Sequence, residues 1–265
     1  MIKPKKSLGQ NFLVDNNIID KIIQFSDINN NHIVEIGPGT GSLTKKIIEK
    51  KPKSLILIEK DQKLVDSLNI KLSGHNNIKI FNKDILKFDL EDKMNSESVI
   101  IGNLPYNISS QILAKLIKFN NWLPKYKKLI LMFQKEVADR ILSKYATSSF
   151  GRLAILCNAR LKVANSFNVS RNCFYPKPKV ESTVLVFTPI VNKDFKVKNI
   201  NNLEKITHIF FSKKRKMINK TFKSLFSDSV DISKKMNIDL SLRPNQISDK
   251  KYYKITEYFE KNYKS

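Results

Sequence analysis

Short apolar runs alternate with helical patterns over about residues 15–145. Nearly every residue in these runs is apolar, as in strands that are buried on both faces of a parallel sheet. Between them apolar residues recur every three or four positions, as in 43–48, which indicates amphipathic helices. The alternation predicts an α/β domain. The predicted strands are 33–36, 54–58, 78–81, 98–102, 128–133, 160–167 and 182–187.

The last two predicted strands flank a loop that contains Pro176 and Pro178, so we expect an antiparallel hairpin that completes a seven-stranded sheet. The sheet domain is predicted to cover residues 1–189. Residues 190–202 are polar and lack sustained periodicity, and we interpret them as a linker. Beyond them apolar residues recur at helical spacing, which predicts a small helical domain with a basic outer face within 190–265. These apolar positions are Leu203, Ile206, Ile209, Phe210, Met217, Phe222, Leu225 and Phe226.

The segment Asn103-Leu104-Pro105-Tyr106 directly follows the predicted strand 98–102. It is therefore placed at the carboxyl edge of the sheet, where open α/β folds bind ligands. An asparagine oxygen and a backbone carbonyl can accept the two hydrogens of a nucleobase amine, and the Tyr106 ring can stack on the base. The same residues also make an ordinary strand-to-helix turn with a buried tyrosine, so this motif alone leaves both interpretations open.

A glycine-rich turn, Gly37-Pro38-Gly39-Thr40-Gly41, follows the strand 33–36. Its Gly-x-Gly-x-Gly spacing differs from that of dinucleotide enzymes, so a cofactor without phosphates is favoured. Glu59, about 20 residues further on at a strand end, is placed to accept the hydroxyls of a ribose. Asp84 follows the strand 78–81 and could accept the adenine amine of the same cofactor. Each signal is common, and their order along the chain is the stronger indication.

The chain resembles the ribosomal RNA adenine N6-dimethyltransferases, and among them the bacterial small-subunit branch. The resemblance is carried by residues 35–41, Glu-Ile-Gly-Pro-Gly-Thr-Gly, and 103–109, Asn-Leu-Pro-Tyr-Asn-Ile-Ser. Four further segments agree in the family's order and extend over nearly the whole chain. These are residues 7–13, 133–140, 174–182 and 210–216.

The resemblance implies a Rossmann-like class I S-adenosylmethionine-dependent methyltransferase fold with a small C-terminal helical domain. It implies methyl transfer to N6 of two adjacent adenosines in the hairpin loop near the 3′ end of 16S rRNA, in an assembling small subunit. The resemblance implies that Asn11 and Leu13 close over the cofactor, that Gly37 lies beside its methionine portion, and that Glu59 and Asp84 hold its ribose and its adenine. It also implies that Asn103 contacts both the cofactor and the target amine and that Leu104 offers its carbonyl to that amine. Tyr106 and Phe174 would sandwich the target base. Without the family pattern, Phe174 is more simply a core aromatic before a proline-rich turn.

The charge of the chain favours a polyanionic partner. It has 48 Lys and Arg residues against 24 acidic ones, a net charge of +24, which promotes steering toward nucleic acid and counterion release. Lysine is abundant throughout, so single lysines are interpreted as solvated. The clusters Lys3/Lys5/Lys6 and Lys213/Lys214/Arg215/Lys216 are the candidate phosphate contacts.

Other sequence features narrow the class of protein and the cell compartment. Cys157 and Cys173 lack metal or redox spacing, and the three histidines are scattered, so no metal is expected. No run of 18 apolar residues exists, and the N-terminus lacks the apolar region of a secretory signal. We therefore expect a cytoplasmic, monomeric enzyme without a membrane segment.

Four alternatives remain at this point. A 23S rRNA dimethyltransferase of the macrolide-resistance type shares the fold, but Leu104 and the basic segment favour the 16S enzyme. A DNA adenine methyltransferase usually has proline where this chain has Leu104. A largely non-catalytic ribosome-assembly factor is disfavoured because every implied catalytic position is intact. A dehydrogenase is the remaining class.

Overall fold

The computed structural model describes residues 4–5, 8–120, 122–191 and 195–263. The strands are β1 (Phe12–Leu13), β2 (His32–Ile36), β3 (Ser54–Glu59), β4 (Ile78–Asn82), β5 (Ser98–Asn103), β6 (Tyr126–Gln134), β7 (Leu161–Val169), β8 (Phe174–Tyr175) and β9 (Ser182–Pro189). The helices are α1 (Asn16–Gln24), α2 (Ser42–Glu49), α3 (Gln62–Lys71), α4 (Leu90–Lys93), α5 (Ser109–Ile117), α6 (Lys135–Leu142), α7 (Arg152–Arg160), α8 (Ile200–Phe211), α9 (Asn219–Leu225), α10 (Ser229–Met236) and α11 (Asp249–Asn262).

Seven strands form one sheet in the order β4-β3-β2-β5-β6-β9-β7. The first five are parallel to their neighbours, and β9 runs antiparallel to β6. Strands β1 and β8 pair with each other in a separate antiparallel sheet. From β2 the chain proceeds to β3 on one side, whereas β5 lies on the other side. The carboxyl ends of β2 and β5 therefore form the switch point at which open α/β sheets bind ligands.

The central strands are buried because their sequences are apolar on both faces. Ile33, Leu55 and Val99, from β2, β3 and β5, have no exposed surface and belong to one apolar cluster. Helix α1 contributes Ile19 and Ile22 to the same cluster, at the spacing of one helical face. All seven predicted sheet strands are present with ends within two residues of the prediction, and the last two are adjacent in the sheet.

The chain divides into two compact units, residues 1–138 with 162–189, and residues 139–161 with 190–265. The predicted boundary at residue 189 therefore misses one segment, residues 139–161. The reason is the burial of α7 within the second unit. Its Ile155 carbonyl accepts a hydrogen bond from the Tyr253 hydroxyl of α11 at 3.3 Å, and Arg152 lies 3.9 Å from the Glu204 carboxylate of α8.

The second unit is helical, as predicted, but α8 begins at Ile200, inside the predicted linker 190–202. The Asn199 side chain caps this helix by accepting a hydrogen bond from Asn201 N at 2.9 Å. Ile200 is buried together with Leu203, Ile206 and Phe210, so the helical periodicity starts three residues earlier than predicted. Met217, predicted on an apolar face, is 56% exposed, whereas the adjacent Ile218 is buried.

Several predictions fall on parts of the chain outside the described residues, namely those for Lys3, Lys6 and Ser7. Both cysteines are free and buried. None of the described helices is both long and apolar enough to span a membrane. Within residues 4–5, 8–120, 122–191 and 195–263, no group of three or more His, Cys, Asp or Glu side chains is arranged to hold a metal ion.

Candidate active site

A cavity of about 170 Å³ opens at the carboxyl ends of β2, β3 and β5. One ordered water needs about 10–15 Å³ of such volume, so the cavity suits an organic ligand rather than a single ion. Its walls come from the N-terminal segment 8–13, the glycine turn 36–40, the strand ends at 58–60 and 83–86, and residues 103–108. Of the predicted cofactor and catalytic residues, the cavity brings together Asn11, Leu13, Gly37, Glu59, Asp84, Asn103, Leu104 and Tyr106.

The glycine turn brings bare backbone to the cavity. Gly37 and Gly39 have φ angles of +71° and +58°, in the left-handed region that residues with a Cβ atom adopt at a cost. A Cβ atom on Gly39 would lie 2.9 Å from the Phe12 ring. The turn and the N-terminal segment therefore approach each other closely only because this position is glycine.

Glu59 ends β3 and is 8% exposed. Its Oε1 accepts hydrogen bonds from the backbone N–H groups of Lys60 and Asp61, both at 2.9 Å, and its Oε2 accepts one from Gly39 N at 3.2 Å. Burial raises the pKa of this carboxyl, and the three backbone hydrogen bonds oppose that rise. A carboxylate has about four acceptor positions, so Glu59 retains capacity for a hydroxyl group in the cavity.

Asp84 lies in the loop after β4. Its Oδ2 accepts a hydrogen bond from Lys60 Nζ at 2.9 Å, and its Oδ1 accepts one from Leu86 N at 2.9 Å. The Lys60 hydrogen bond holds the pKa of the Asp84 carboxyl below its usual value. Lys115 of α5 holds the loop in place, because its Nζ donates hydrogen bonds to the backbone carbonyls of Leu86 and Phe88 at 3.0 and 2.7 Å.

Asn103 ends β5 and joins two walls of the cavity. Its Nδ2 donates a hydrogen bond to the backbone carbonyl of Asn11 at 2.8 Å. No described residue donates to its Oδ1, which is therefore available as an acceptor. Leu104, the next residue, is buried and lines the cavity.

Tyr106 lines the cavity, whereas Phe174 does not. The Tyr106 hydroxyl shares a 2.5 Å hydrogen bond with the hydroxyl of Ser182, a fully buried residue of β9. Burial raises the pKa of the Tyr106 phenol, so it stays protonated. Phe174 is 4% exposed, pairs with Leu13 between β8 and β1, and belongs to the apolar core. Phe174 therefore lies behind the cavity-lining residue Leu13 in the apolar core, and its contact with the target base stays a prediction.

Comparison with known proteins decides the family. The family model described as ribosomal RNA adenine dimethylase matches residues 1–261. The chain belongs to this family. It is 45% identical, over 98% of both chains, to the ribosomal RNA small subunit methyltransferase A of Pelagibacter ubique. The protein of the same name from Malacoplasma penetrans is 37% identical, over 94% of this chain and 90% of that one.

Solved structures agree with the family assignment. A dimethyladenosine transferase from Plasmodium falciparum superposes with a TM-score of 0.79 at 28% identity, covering 94% of this chain and 98% of that one. The 23S rRNA methyltransferase ErmE superposes at 0.68 with 21% identity, covering 94% of this chain and all of that one, and supports the fold alone. The predicted family, the Rossmann-like class I methyltransferase fold and the enzyme class are thus confirmed. The relatives favour the small-subunit enzyme over the large-subunit alternative.

Three residues in or beside the cavity were not predicted from the sequence. Glu35 of β2 is fully buried in the cavity wall, where Thr44 Oγ1 donates to its Oε2 at 2.7 Å. Burial raises the pKa of Glu35 to about 8. Asp61 and Ser182 hold Glu59 and Tyr106, respectively, through hydrogen bonds. Glu35 is the first residue of the motif 35–41, but the residues around it do not distinguish a buried acid from a solvated one.

Proposed function

We propose that this chain transfers methyl groups from S-adenosylmethionine to N6 of two adjacent adenosines in the 3′-terminal hairpin loop of 16S rRNA, giving N6,N6-dimethyladenosine. The observation that carries the proposal is Asn103, which lines the cavity together with Glu59 and Tyr106 and whose Oδ1 receives no hydrogen bond from any described residue. Membership of the ribosomal RNA adenine dimethylase family supports the reaction. The relatives named as small subunit methyltransferases support the choice of RNA.

The polar lining of the cavity is compatible with S-adenosylmethionine. Three carboxyl groups line it, those of Glu35, Glu59 and Asp84, with Lys60 and Lys83 as the lysines. Lys60 is already paired with Asp84. Because the pKa of Glu35 is about 8, this carboxyl is mostly protonated at neutral pH, and the two lysines balance the two remaining carboxyl groups. The choice of S-adenosylmethionine over a dinucleotide is supported instead by the family model and by the Gly-x-Gly-x-Gly spacing of the turn. A dehydrogenase is therefore disfavoured.

Each wall of the cavity takes one part of the cofactor. Glu59 accepts a ribose hydroxyl through its remaining acceptor position. Asp84 also accepts hydrogen bonds from Lys60 and Leu86 and has further positions for the adenine amine. Gly37 places bare backbone beside the methionine portion, and Asn11 and Leu13 cover it. When bound, S-adenosylmethionine supplies an electrophilic methyl group on a positively charged sulfur.

Asn103, Leu104 and Tyr106 act on the target adenine. Asn103 Oδ1 and the Leu104 carbonyl accept the two hydrogens of the amine and draw its nitrogen toward tetrahedral geometry. The Tyr106 ring stacks on the base, which must leave its stack to enter the site. As the new C–N bond forms, the bond from the methyl carbon to the cofactor sulfur would break, and the sulfur would keep the electron pair and leave as a neutral thioether. The nitrogen gains positive charge that the two oxygens stabilise. Its proton then passes to water, so catalysis depends mainly on positioning.

The RNA reaches this site with help from the positive charge of the chain. Lys213, Lys214, Arg215 and Lys216 are all exposed in the turn after α8, which suits phosphate contacts. Lys5 does not suit this role, since its Nζ is paired with Asp61 at 2.8 Å. We propose that the physiological substrate is the assembling small subunit, which the monomeric enzyme methylates in the cytoplasm.

Transfer of labelled methyl groups tests the proposed substrate. The purified chain is incubated with methyl-labelled S-adenosylmethionine and either small or large ribosomal subunits from a strain that lacks this modification. We expect label in the 16S rRNA of the small subunits and background levels in the 23S rRNA. Label in 23S rRNA alone would support the macrolide-resistance type of enzyme. Binding of the subunits without label in either RNA would support a non-catalytic assembly factor.

A further inference from the structure

Asp61 is an aspartate with more polar partners than helix capping requires. It is the N-cap residue of α3, and its Oδ1 accepts a hydrogen bond from Lys63 N at 3.1 Å. Helix capping needs only one hydrogen bond from a backbone N–H to the aspartate side chain. In most capping aspartates water solvates the rest of the carboxylate. Asp61, in contrast, is 2% exposed. Its buried carboxylate therefore needs further partners.

Those partners come from the N-terminal segment, more than 50 positions away along the chain. Lys5 Nζ donates to Asp61 Oδ1 at 2.8 Å, and Gln10 Nε2 donates to Asp61 Oδ2 at 3.0 Å. Gln10 also accepts a hydrogen bond from Lys5 N through its Oε1 at 2.7 Å. These three hydrogen bonds form a closed ring that attaches the N-terminal segment to the start of α3.

The segment attached in this way forms one wall of the cavity. Gln10, Asn11, Phe12 and Leu13 all line it. On the opposite side Asp61 N donates to Glu59 Oε1 at 2.9 Å. Asp61 does not itself line the cavity, but it contacts both the wall that covers the cofactor and the carboxylate that accepts the ribose.

We infer that Asp61 is a positioning residue that holds the N-terminal segment closed over the cofactor and orients Glu59, and so sets cofactor affinity without touching the cofactor. The inference rests on the proposed function for the identity of the cofactor. The carboxylate is suited to this role because it is ionised. Burial opposes its ionisation, but the hydrogen bonds from Lys5 and Gln10 outweigh that effect and hold the pKa of Asp61 below its usual value.

The variant Asp61→Ser separates positioning from helix capping. Serine is as good an N-cap residue as aspartate, so α3 keeps its cap, whereas the carboxylate partner of Lys5 and Gln10 is lost. Asp15→Ser is the matched control, because Asp15 caps α1 through Ile18 N at 3.0 Å and makes no hydrogen bond to the segment 4–13 among the described residues. Lys5→Met removes the same ion pair from the other side, and Lys5→Arg restores it.

The dissociation constant of S-adenosylmethionine and the turnover number are measured for each variant. We expect Asp61→Ser to weaken cofactor binding about tenfold, an effect limited by the partial exposure of Lys5, with turnover at saturating cofactor within about twofold of wild type. Asp15→Ser and Lys5→Arg should bind as wild type does. Adding Lys5→Met to Asp61→Ser should weaken binding little further, because both remove the same ion pair. Unchanged affinity in Asp61→Ser, or equal weakening in Asp15→Ser, would overturn the inference.

A second readout keeps this result distinct from the proposed function. Amide hydrogen exchange of residues 8–13 needs no cofactor, and we expect it to be faster in Asp61→Ser than in wild type and in Asp15→Ser. If the wild-type chain binds no S-adenosylmethionine, the proposed function fails, and hydrogen exchange alone decides the role of Asp61. Equal exchange in all three proteins would show that Asp61 does not hold the segment.

Discussion

The Asn103 side chain donates a hydrogen bond from Nδ2 to the backbone carbonyl of Asn11 at 2.8 Å. This contact fixes the orientation of the Asn103 amide, because a carbonyl oxygen accepts a hydrogen bond only from a donor such as Nδ2. The Nδ2 group therefore faces the N-terminal segment, and Oδ1 remains an acceptor for the target amine. One side chain thus joins two walls of the cavity and, in the proposed reaction, also accepts the target amine.

Replacing Asn103 tests the role of its Oδ1. Asn103→Ala removes both the contact with Asn11 and the acceptor, and we expect turnover to fall roughly 10²–10³-fold, as for the loss of one preorganised polar partner. The measurement is the initial rate of methyl transfer at saturating cofactor, with thermal unfolding as the control for folding. Near-normal turnover in a folded variant would remove Asn103 from the catalytic residues.

Glu59 is expected to dominate binding of the ribose. Glu59→Ala should weaken S-adenosylmethionine binding by about 1.5–3 kcal/mol, the range for hydrogen bonds to charged groups. Titration calorimetry gives this value directly. Since Glu59 also accepts three backbone hydrogen bonds, Glu59→Gln is measured beside it, because glutamine keeps an acceptor for some of them. Wild-type affinity in both variants would place the ribose elsewhere.

Glu35 should make the stability of the protein depend on pH. Its pKa of about 8 in the folded protein lies above the ordinary value of 4.5, so between these values the folded state binds more protons than the unfolded state. This contribution to stability is complete below about pH 4.5 and is lost as the pH rises through about 8. Each pH unit in this window changes it by at most about 1.4 kcal/mol.

The variant Glu35→Gln should remove this pH dependence, because it is neutral and its amide oxygen still accepts from Thr44. Urea denaturation at several pH values between about 5 and 8 measures the free energy of unfolding. We expect a shallower decline for Glu35→Gln than for wild type. Parallel curves for the two proteins would show that Glu35 is ionised throughout.

Tyr106 and Phe174 should respond differently to truncation. Tyr106→Ala should cost about 1–3 kcal/mol of base stacking, seen in RNA affinity and in release of singly methylated adenosine. Phe174→Ala should instead cost about 3–5 kcal/mol of stability, because it leaves a cavity in the apolar core. Melting temperatures and RNA affinities are compared for both variants. A stable Phe174→Ala that loses RNA affinity as Tyr106→Ala does would instead support the sandwich of the base that the resemblance implies.

The sequence predicted most of the fold because the fold depends on local pattern. Strand β5 is a largely apolar run, so its burial and the position of Asn103 at its carboxyl end could be inferred together. Glu59 and Asp84 were found for the same reason, since each follows an apolar strand. The structure brings these residues together in one cavity, and their cofactor roles stay a prediction.

The remaining features depend on contacts between distant parts of the chain. Asp61 and Lys5 are 56 positions apart, and Tyr106 and Ser182 are 76 apart, so no local pattern pairs them. Phe174 gives the same apolar signal whether it packs in the core or stacks on a base. The sequence did not place helix α7 in the second unit, because this helix packs against α8 and α11, which lie much later in the chain.

The most direct test of the central claim is nucleoside mass spectrometry of the RNA after reaction. Small subunits from a strain that lacks the modification are treated with the purified chain and S-adenosylmethionine, and the 16S rRNA is then digested and its methylated nucleosides are located. We expect N6,N6-dimethyladenosine at two adjacent adenosines of the 3′-terminal hairpin loop, and none with Asn103→Ala in the same time. Unmethylated 16S rRNA, or methylation on another atom or at another site, would contradict the proposed function.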